Sequence, residues 1–322
     1  MSLSASCYGL QTIIPFIIVT LVLFLNIKGS TQISREFWPK YWESDVTKGN
    51  FPKNSSYSLN LETALSNLST VSYSHIFSNI TVGTDDDNKV YALYECRKDV
   101  TLQRCHGCVE DATLNAVDLC YASVHPKECI VIYEECMLRY ANRMIFSKME
   151  LLPNYTTCAG VKFLMDGGAL HGGVKSNLES LIERAISENS SSTKYFGVEK
   201  AKNIVGRDLY FLVQCTPDIS RTQCKKCLMN AFNYTVESCA RDARLWGQFR
   251  GPSCQMRYDD EPFFNVSLLD HNVIIAPTPF APDVSAQPLP MVDEPISMKF
   301  GQTRMPKFMQ YGSNNILPLY LI

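Results

Sequence analysis

The chain has 322 residues and a formal net charge of -2, and 46% of its residues are hydrophobic while 19% are charged. This length exceeds one typical domain and this composition can fill hydrophobic cores, so we expect two compact units plus some non-globular sequence. Because the charges nearly balance and no long block of Lys and Arg occurs, the sequence argues against a nucleic-acid partner.

The chain starts with an uncharged apolar run over residues 13–26, followed by the small residues Gly29 and Ser30. This pattern predicts a signal peptide over residues 1–30, cleaved near residue 30. The alternative is an uncleaved anchor, because no Lys or Arg precedes the run. The run is too short for a comfortable membrane span. We therefore expect secretion, with no stable membrane span after cleavage.

Asn-x-Ser/Thr sequons are dense in the chain, which fits a surface that matures in the secretory pathway. The predicted glycosylation sites are Asn54, Asn67, Asn79, Asn154, Asn189, Asn233 and Asn265.

The cysteine spacing repeats along the chain. Removal of the signal peptide takes Cys7 from the count of 13 and leaves an even number, which suits an oxidising compartment. Five cysteines recur after a shift of 119 residues, or 118 for the last: Cys96 as Cys215, Cys105 as Cys224, Cys108 as Cys227, Cys120 as Cys239, and Cys136 as Cys254. The repeat predicts two tandem domains, over residues 35–146 and 154–265.

Each repeat shows the same pattern of predicted elements. In repeat one, apolar residues at i, i+3, i+4 and i+7 after Ser55 and Ser56 predict a first helix, and Leu178, Leu181, Ile182 and Ala185 predict one in repeat two. A second helix is predicted to begin near each C-x-x-C. Short β-prone runs lie between and after the helices. The prediction is an α+β fold of two tandem domains, each with two helices packed on a small antiparallel β-sheet and stapled by disulfides.

The same residues resemble a known family. The runs are Cys96-x8-Cys105-x2-Cys108 with Cys136-Met-Leu-Arg-Tyr140, and Cys215-x8-Cys224-x2-Cys227 with Gly251-Pro-Ser-Cys254-Gln-Met-Arg-Tyr258. They resemble the plant salt-stress-response/antifungal domain of ginkbilobin-type lectins, cysteine-rich repeat secretory proteins and the ectodomains of cysteine-rich receptor-like kinases. The resemblance covers about residues 35 to 265 and implies a plant source.

The resemblance implies a disulfide pairing. The implied bridges are Cys158–Cys239, Cys215–Cys224, Cys227–Cys254, Cys96–Cys105 and Cys108–Cys136.

Repeat one departs from this pattern. One period before Cys158 lies a segment near Pro39 without cysteine, while the extra Cys129 has Gln248 one period later. We expect Cys120 to pair with Cys129 and to leave the segment before Phe51 untethered. The alternative is that both thiols stay free.

The ginkbilobin-type lectins hold mannose with an Asn, an Arg and a Glu at fixed distances from their cysteines. In repeat two these positions are Ala159, Gln248 and Asp259, and only Asp259 keeps the chemistry. In repeat one two of them are Ile130 and Ala141, which lack polar groups. We therefore expect Asp259 and Gln248 to be weak ligand-binding residues and mannose affinity to fall below that of the lectins.

The sequence gives little support for redox activity, zinc binding or catalysis. The pairs Cys105/Cys108 and Cys224/Cys227 have the spacing of a redox dithiol, but both lie within a larger cysteine pattern that favours structural disulfides. Five His without an H-x3-5-H pair disfavour zinc. Catalytic motifs such as G-x-S-x-G and H-E-x-x-H are missing. We predict no enzyme, no catalytic residues, no cofactor and no metal.

Eight of the 16 prolines lie after Asp270, so residues 270–322 are predicted to form an extended or disordered tail. The leading hypothesis is a non-enzymatic protein of the apoplast, which acts in stress or defence by binding an extracellular glycan or protein. The alternative is a truncated receptor-like kinase, whose soluble ectodomain acts as a decoy or co-receptor.

Overall fold

The structure is a computed structural model that describes residues 37–162, 167–187 and 194–269. Three predictions lie outside the described residues: the signal peptide over 1–30, the tail over 270–322 and the sequon Asn189. The described residues all belong to one compact unit.

The described residues form four α-helices: α1 (Ser56–Val71), α2 (Leu102–Leu119), α3 (Gly167–Ala185) and α4 (Arg221–Thr235). Ser55, one of the two predicted caps, accepts a hydrogen bond from the backbone nitrogen of Ser58 at 3.2 Å. Thr101 and Ser220 cap α2 and α4 in the same way, and neither was predicted. Each cap stabilises a helix start by about 1 kcal/mol.

The β-strands of the described residues form two five-stranded antiparallel sheets and one two-stranded sheet. The strands are β1 (Tyr41–Ser44), β2 (Asn50–Phe51), β3 (Phe77–Val82), β4 (Val90–Cys96), β5 (His125–Pro126), β6 (Cys129–Ile132), β7 (Cys136–Ala141), β8 (Tyr155–Cys158), β9 (Phe196–Ile204), β10 (Arg207–Cys215), β11 (Gly247–Arg250) and β12 (Cys254–Asp259). The first sheet has the order β1-β6-β7-β4-β3, the second β8-β11-β12-β10-β9, and β2 pairs with β5.

In each large sheet the side chains alternate between a face that packs on two helices and an outer face. In β7, Leu138 and Tyr140 belong to the core with the helices, whereas Met137 belongs to a second cluster on the outer face. Met256 and Tyr258 of β12 hold the equivalent core positions in repeat two. This arrangement confirms the predicted α+β class.

The edge strands correct one sequence prediction. Ser44 of β1 lies opposite Cys129 of β6, and Cys158 of β8 lies opposite Gly247 of β11. The counterpart of Cys158 is therefore Ser44, and the prediction of a position near Pro39 was wrong. The period of 119 residues fails here because repeat two has a longer first helix and a longer connection from that helix to the next strand.

The counterpart of Cys129 also differs from the prediction. Cys129 lies opposite Tyr140, and Gly247 lies opposite Tyr258, which is the tyrosine at the same distance from the last cysteine of repeat two. Gly247 is therefore the counterpart, and Gln248 is its neighbour. The shift here is 118 residues, as for the last cysteine.

The described cysteines are joined in six disulfides, with Cα atoms 5.5 to 6.2 Å apart, within the range that a disulfide allows. The pairs are Cys96–Cys105, Cys108–Cys136, Cys120–Cys129, Cys158–Cys239, Cys215–Cys224 and Cys227–Cys254. Five of these pairs are the ones that the family resemblance implies, and the sixth is the expected pair of Cys120 with Cys129.

The segment before Phe51 is held by the sheet, so the expectation that it is untethered was wrong. Beyond the four register pairs of β1, the nitrogen of Lys40 donates to Ile132 O at 2.7 Å. The Phe37 ring is 7% exposed and lies under the guanidinium of Arg104, 5.1 Å from ring centroid to Cζ. Strand pairing and ring packing replace the missing covalent link.

The two repeats are joined through buried polar groups. The fully buried Gln214 accepts a hydrogen bond from Lys98 N at 3.0 Å and donates to Cys96 O at 2.9 Å. The Arg97 guanidinium donates to Glu134 at 3.0 Å and to the backbone oxygen of Phe263 at 2.8 Å. These bonds fix the outer face of the second sheet against repeat one.

Candidate ligand-binding site

The predicted ligand residues of repeat two lie on the outer face of the second sheet. Gln248 lies opposite Arg257, and Asp259 lies two residues further along the same strand as Arg257. Gln248 is 7% exposed and Asp259 is 5% exposed. Asp259 Oδ2 accepts two hydrogen bonds from Arg257 at 3.2 and 2.6 Å, and its Oδ1 accepts one from Glu261 N at 3.1 Å. Ala159 contributes no polar side chain.

Repeat one covers this region. Arg257 also donates to Glu134 of repeat one at 2.9 Å, and the Phe263 ring lies over its guanidinium, with its centroid 4.2 Å from Cζ. The carboxylate of Asp259 is thus engaged by its own chain. The structure brings Gln248 and Asp259 to one face, but that face is closed by the junction between the repeats.

An open cleft of about 480 Å³ lies on the outer face of the first sheet, beside β1. Its apolar lining includes Ile130 and Pro153, and its carboxylates include Glu43, Asp45 and Glu128. Ile130 is the counterpart in repeat one of a mannose-binding residue of the lectins, and its side chain has no polar group. The cleft therefore lies at the lectin-like position of repeat one but draws its polar groups from other residues.

Two arginines that line this cleft pair with Glu128 of the lining and with Glu150 beside it. Arg143 donates to both oxygens of Glu128 at 2.7 and 3.1 Å, and to both oxygens of Glu150 at 2.5 and 3.1 Å. Arg139 forms a further ion pair with Glu150. Bidentate pairs of this kind fix both partners in direction as well as position.

The pKa values of Glu43 in the cleft and of Glu150 beside it are shifted in opposite directions. Burial works against the ionisation of Glu150, but the hydrogen bonds from Arg143 and the charge of Arg139 outweigh it and lower the pKa of that carboxyl. Burial, with the nearby charge of Asp45, raises the pKa of Glu43. The cleft thus places carboxyl groups and guanidiniums, several of them held by one another, around an apolar surface. That combination suits a ligand with several hydroxyls and an apolar ring face.

The described sequons differ in their surroundings. Five asparagines are exposed: Asn54, Asn67, Asn79, Asn233 and Asn265. Asn154 is half-buried, lines the cleft and donates a hydrogen bond to Leu151 O at 3.1 Å. Glycosylation at these positions stays a prediction, and at Asn154 it would place a glycan at the rim of the cleft.

The sequence model of a family described as salt stress response/antifungal matches residues 43–143 and 169–261, more than half of the chain. The chain belongs to the salt stress response/antifungal family. The resemblance drawn from the cysteine spacing and the tandem arrangement is thereby confirmed.

Relatives of the two salt stress response/antifungal domains occur in receptors and in a secretory protein of Arabidopsis thaliana. The chain is 35% identical over 255 residues to cysteine-rich receptor-like protein kinase 25, which covers 76% of this chain and 35% of the kinase. It is 35% identical over 196 residues to cysteine-rich repeat secretory protein 1, which covers 60% of this chain and 55% of that protein. The chain thus spans about a third of the length of that kinase.

A solved structure shows the same fold. The crystal structure of the tandem DUF26 ectodomain of the Arabidopsis thaliana cysteine-rich receptor-like protein PDLP8 matches with a TM-score of 0.57 and 22% identity, over 70% of this chain and 98% of that chain. At this identity the comparison establishes the architecture of the salt stress response/antifungal pair.

The described residues also bear on the predictions about membranes and metals. Within residues 37–162, 167–187 and 194–269, no helix combines the length and the apolarity that a membrane crossing needs. In the same part of the chain, no three His, Cys, Asp or Glu side chains converge as metal ligands.

Sequence reasoning missed the charged residues in and beside the cleft. Glu128 precedes β6, Arg143 follows β7, and Glu150 lies in the connection to repeat two, so none occupies a lectin position. The register of β6 and β7 was the signal that could have found them, because antiparallel pairing of Cys129 with Tyr140 carries Glu128 toward Arg143.

Proposed function

We propose that this chain is a secreted, non-enzymatic recognition protein of the plant apoplast, which acts in stress or defence by binding an extracellular glycan in the cleft of repeat one. The observation that carries the proposal is the cleft itself, with convergent carboxylates and guanidiniums around an apolar lining. Kinship with a secretory protein and with receptor-like kinases supports an extracellular setting.

The polar groups of the cleft are held rigidly before any ligand arrives. Arg143 is fixed between Glu128 and Glu150, and the edge strand carrying Glu43 is held by β6. A preformed site loses little conformational entropy on binding, which favours affinity for a small glycan.

A glycan array probed with the full secreted protein tests this proposal. The matched variants are Glu128→Gln, which removes an acceptor of the cleft, and Arg184→Gln, which breaks a surface ion pair with Glu199 on repeat two. We expect saturable binding that Glu128→Gln weakens at least tenfold and Arg184→Gln leaves unchanged. Absence of any saturable glycan ligand would contradict the proposal.

Mannose is expected to be a poor ligand. Gln248 and Asp259 are buried, Arg257, which pairs with Asp259, is held by Glu134 of repeat one, and Ala159 offers no hydrogen bond from its side chain. Calorimetry with mannose and mannan should show no saturable heat. Saturable binding that Asp259→Ala abolishes would show instead that the lectin-type site of repeat two binds mannose.

A second candidate function is a soluble ectodomain that acts as a decoy or co-receptor, favoured by the 35% identity to a receptor-like kinase. In that case the partner is an extracellular protein. Size-exclusion chromatography of the purified chain with candidate receptor ectodomains would detect a stable complex. A complex that glycans of the array do not displace would favour this second function.

A further inference from the structure

A second cleft, of about 420 Å³, lies on repeat one beside the two-stranded sheet. Phe51 and His125 face each other in register there, and their rings are stacked with centroids 5.5 Å apart. The ring of Tyr121 follows, 4.8 Å from that of His125, and Tyr121 is 52% exposed. The three rings form a row that ends at the surface.

The polar groups of this aromatic cleft differ from those of the first. None of the residues that line it carries a carboxylate, whereas Lys53 lies at the rim, exposed and without an ion pair to any residue that the structure describes. His125 Nδ1 is buried and has no hydrogen-bond partner among the described residues.

We propose that the aromatic cleft binds an oligosaccharide that carries carboxylate groups, with a pyranose ring on Tyr121 and a carboxylate at Lys53. The face of an aromatic ring carries a partial negative charge and attracts the C–H groups on the apolar face of a pyranose. The unpaired ammonium of Lys53, with no competing acid in the lining, selects an anionic sugar over a neutral one. This site is separate from the charged cleft proposed above and takes a ligand of different charge.

Calorimetry with a galacturonic acid tetramer and with its fully methyl-esterified form tests the proposal, because esterification removes the negative charges and leaves the sugar rings and their linkages unchanged. All proteins carry Asn54→Gln, so that no glycan at that sequon occupies the rim. The variants are Tyr121→Ala, Lys53→Gln and, as the matched control, Tyr234→Ala, which removes a tyrosine of similar exposure (47%) on repeat two.

We expect the acidic tetramer to bind about tenfold more tightly than the ester at low salt, and less so as salt screens the charge. Tyr121→Ala should abolish binding of both, Lys53→Gln should equalise them, and Tyr234→Ala should change neither. Glu128→Gln, which tests the first cleft, should leave this binding intact. Equal affinity for acid and ester, no binding of either, or binding that survives Tyr121→Ala would overturn the proposal.

Discussion

The two repeats share one strand order but hold their edge strands differently. In repeat two the bridge Cys158–Cys239 ties the edge strand β8 to the end of the second helix. In repeat one the bridge Cys120–Cys129 ends one strand further in, on β6. A Cβ atom built on Gly247, the counterpart of Cys129, would lie 2.8 Å from Cys239 Sγ. Both positions are thus within reach of the same helix end, so a cysteine can change strand while the topology stays the same.

The repeats also differ in what covers their outer faces. On repeat two, Phe263 and Phe264 with the following residues pack against the second sheet, and repeat one closes the region of Gln248. On repeat one, the outer face beside β1 remains an open cleft. Repeat two therefore uses its outer face to join the repeats, whereas repeat one leaves a cleft open on the equivalent face, where we propose that a ligand binds.

Removal of the edge-strand bridge should cost more in repeat two than in repeat one. The loops closed by Cys158–Cys239 and Cys120–Cys129 span 81 and 9 residues. Loop entropy predicts losses of about 4.5 and about 2.6 kcal/mol of unfolding free energy for the two paired Cys→Ser variants. Urea unfolding of both variants measures the difference, and equal losses would show that the two bridges are equivalent.

Substitution of Glu134 should destabilise the junction between the repeats. Its carboxylate accepts hydrogen bonds from Arg97 and Arg257, and the charges of the surrounding arginines lower its pKa even though burial opposes its ionisation. Glu134→Ala would leave these arginines without their shared acceptor, at a cost of about 3 kcal/mol. Thermal unfolding checks it, with Glu135→Ala as the control, because Glu135 pairs with the more exposed Arg104. A loss no larger than that of the control would contradict the role of Glu134.

Stability should fall as pH rises because of Glu95. Burial raises its pKa to about 7, against the lowering effects of Gln214, Lys98 and Arg250, while Asp218 adds to the rise. With the folded-state pKa above the unfolded value, the stability contributed by the neutral form is present below about pH 4.5 and is lost as pH rises through about 7.

Glu95→Gln installs the residue that repeat two carries at the same position, Gln214, and removes this titration. The variant should gain on the wild type by about 3 kcal/mol between pH 4.5 and pH 7. Urea unfolding across this range measures the gap. A gap that stays constant with pH would mean that Glu95 is not the titrating group.

The smallest expected effect is local. Because β1 has hydrogen bonds to β6 and no cystine of its own, its amides should exchange about tenfold faster than those of β8. Hydrogen exchange measured by mass spectrometry compares the two strands, and the paired Cys→Ser variant of repeat two should bring β8 to the rate of β1. Slower exchange in β1 would contradict the comparison.

Much of this architecture was predictable from local sequence, and the failures have a common cause. The helices and the cysteine framework follow from periodicity and spacing, as Leu61 to Leu68 and the capping Ser55 show. The edge strand β1 and the pairing of Ser44 with Cys129 did not follow, because register depends on contacts distant in sequence. The cleft was missed for the same reason, since Glu128, Arg143 and Glu150 meet only through that register.

The central claim is that repeat one carries the ligand face while repeat two is closed by the junction. Titration of the strongest glycan of the array into the wild type, Glu128→Gln and Asp259→Asn tests this claim most directly, with circular dichroism to verify the fold of each protein. We predict that Asp259→Asn binds like the wild type and that Glu128→Gln loses at least tenfold in affinity. Loss of binding in Asp259→Asn with full binding in Glu128→Gln would contradict the claim.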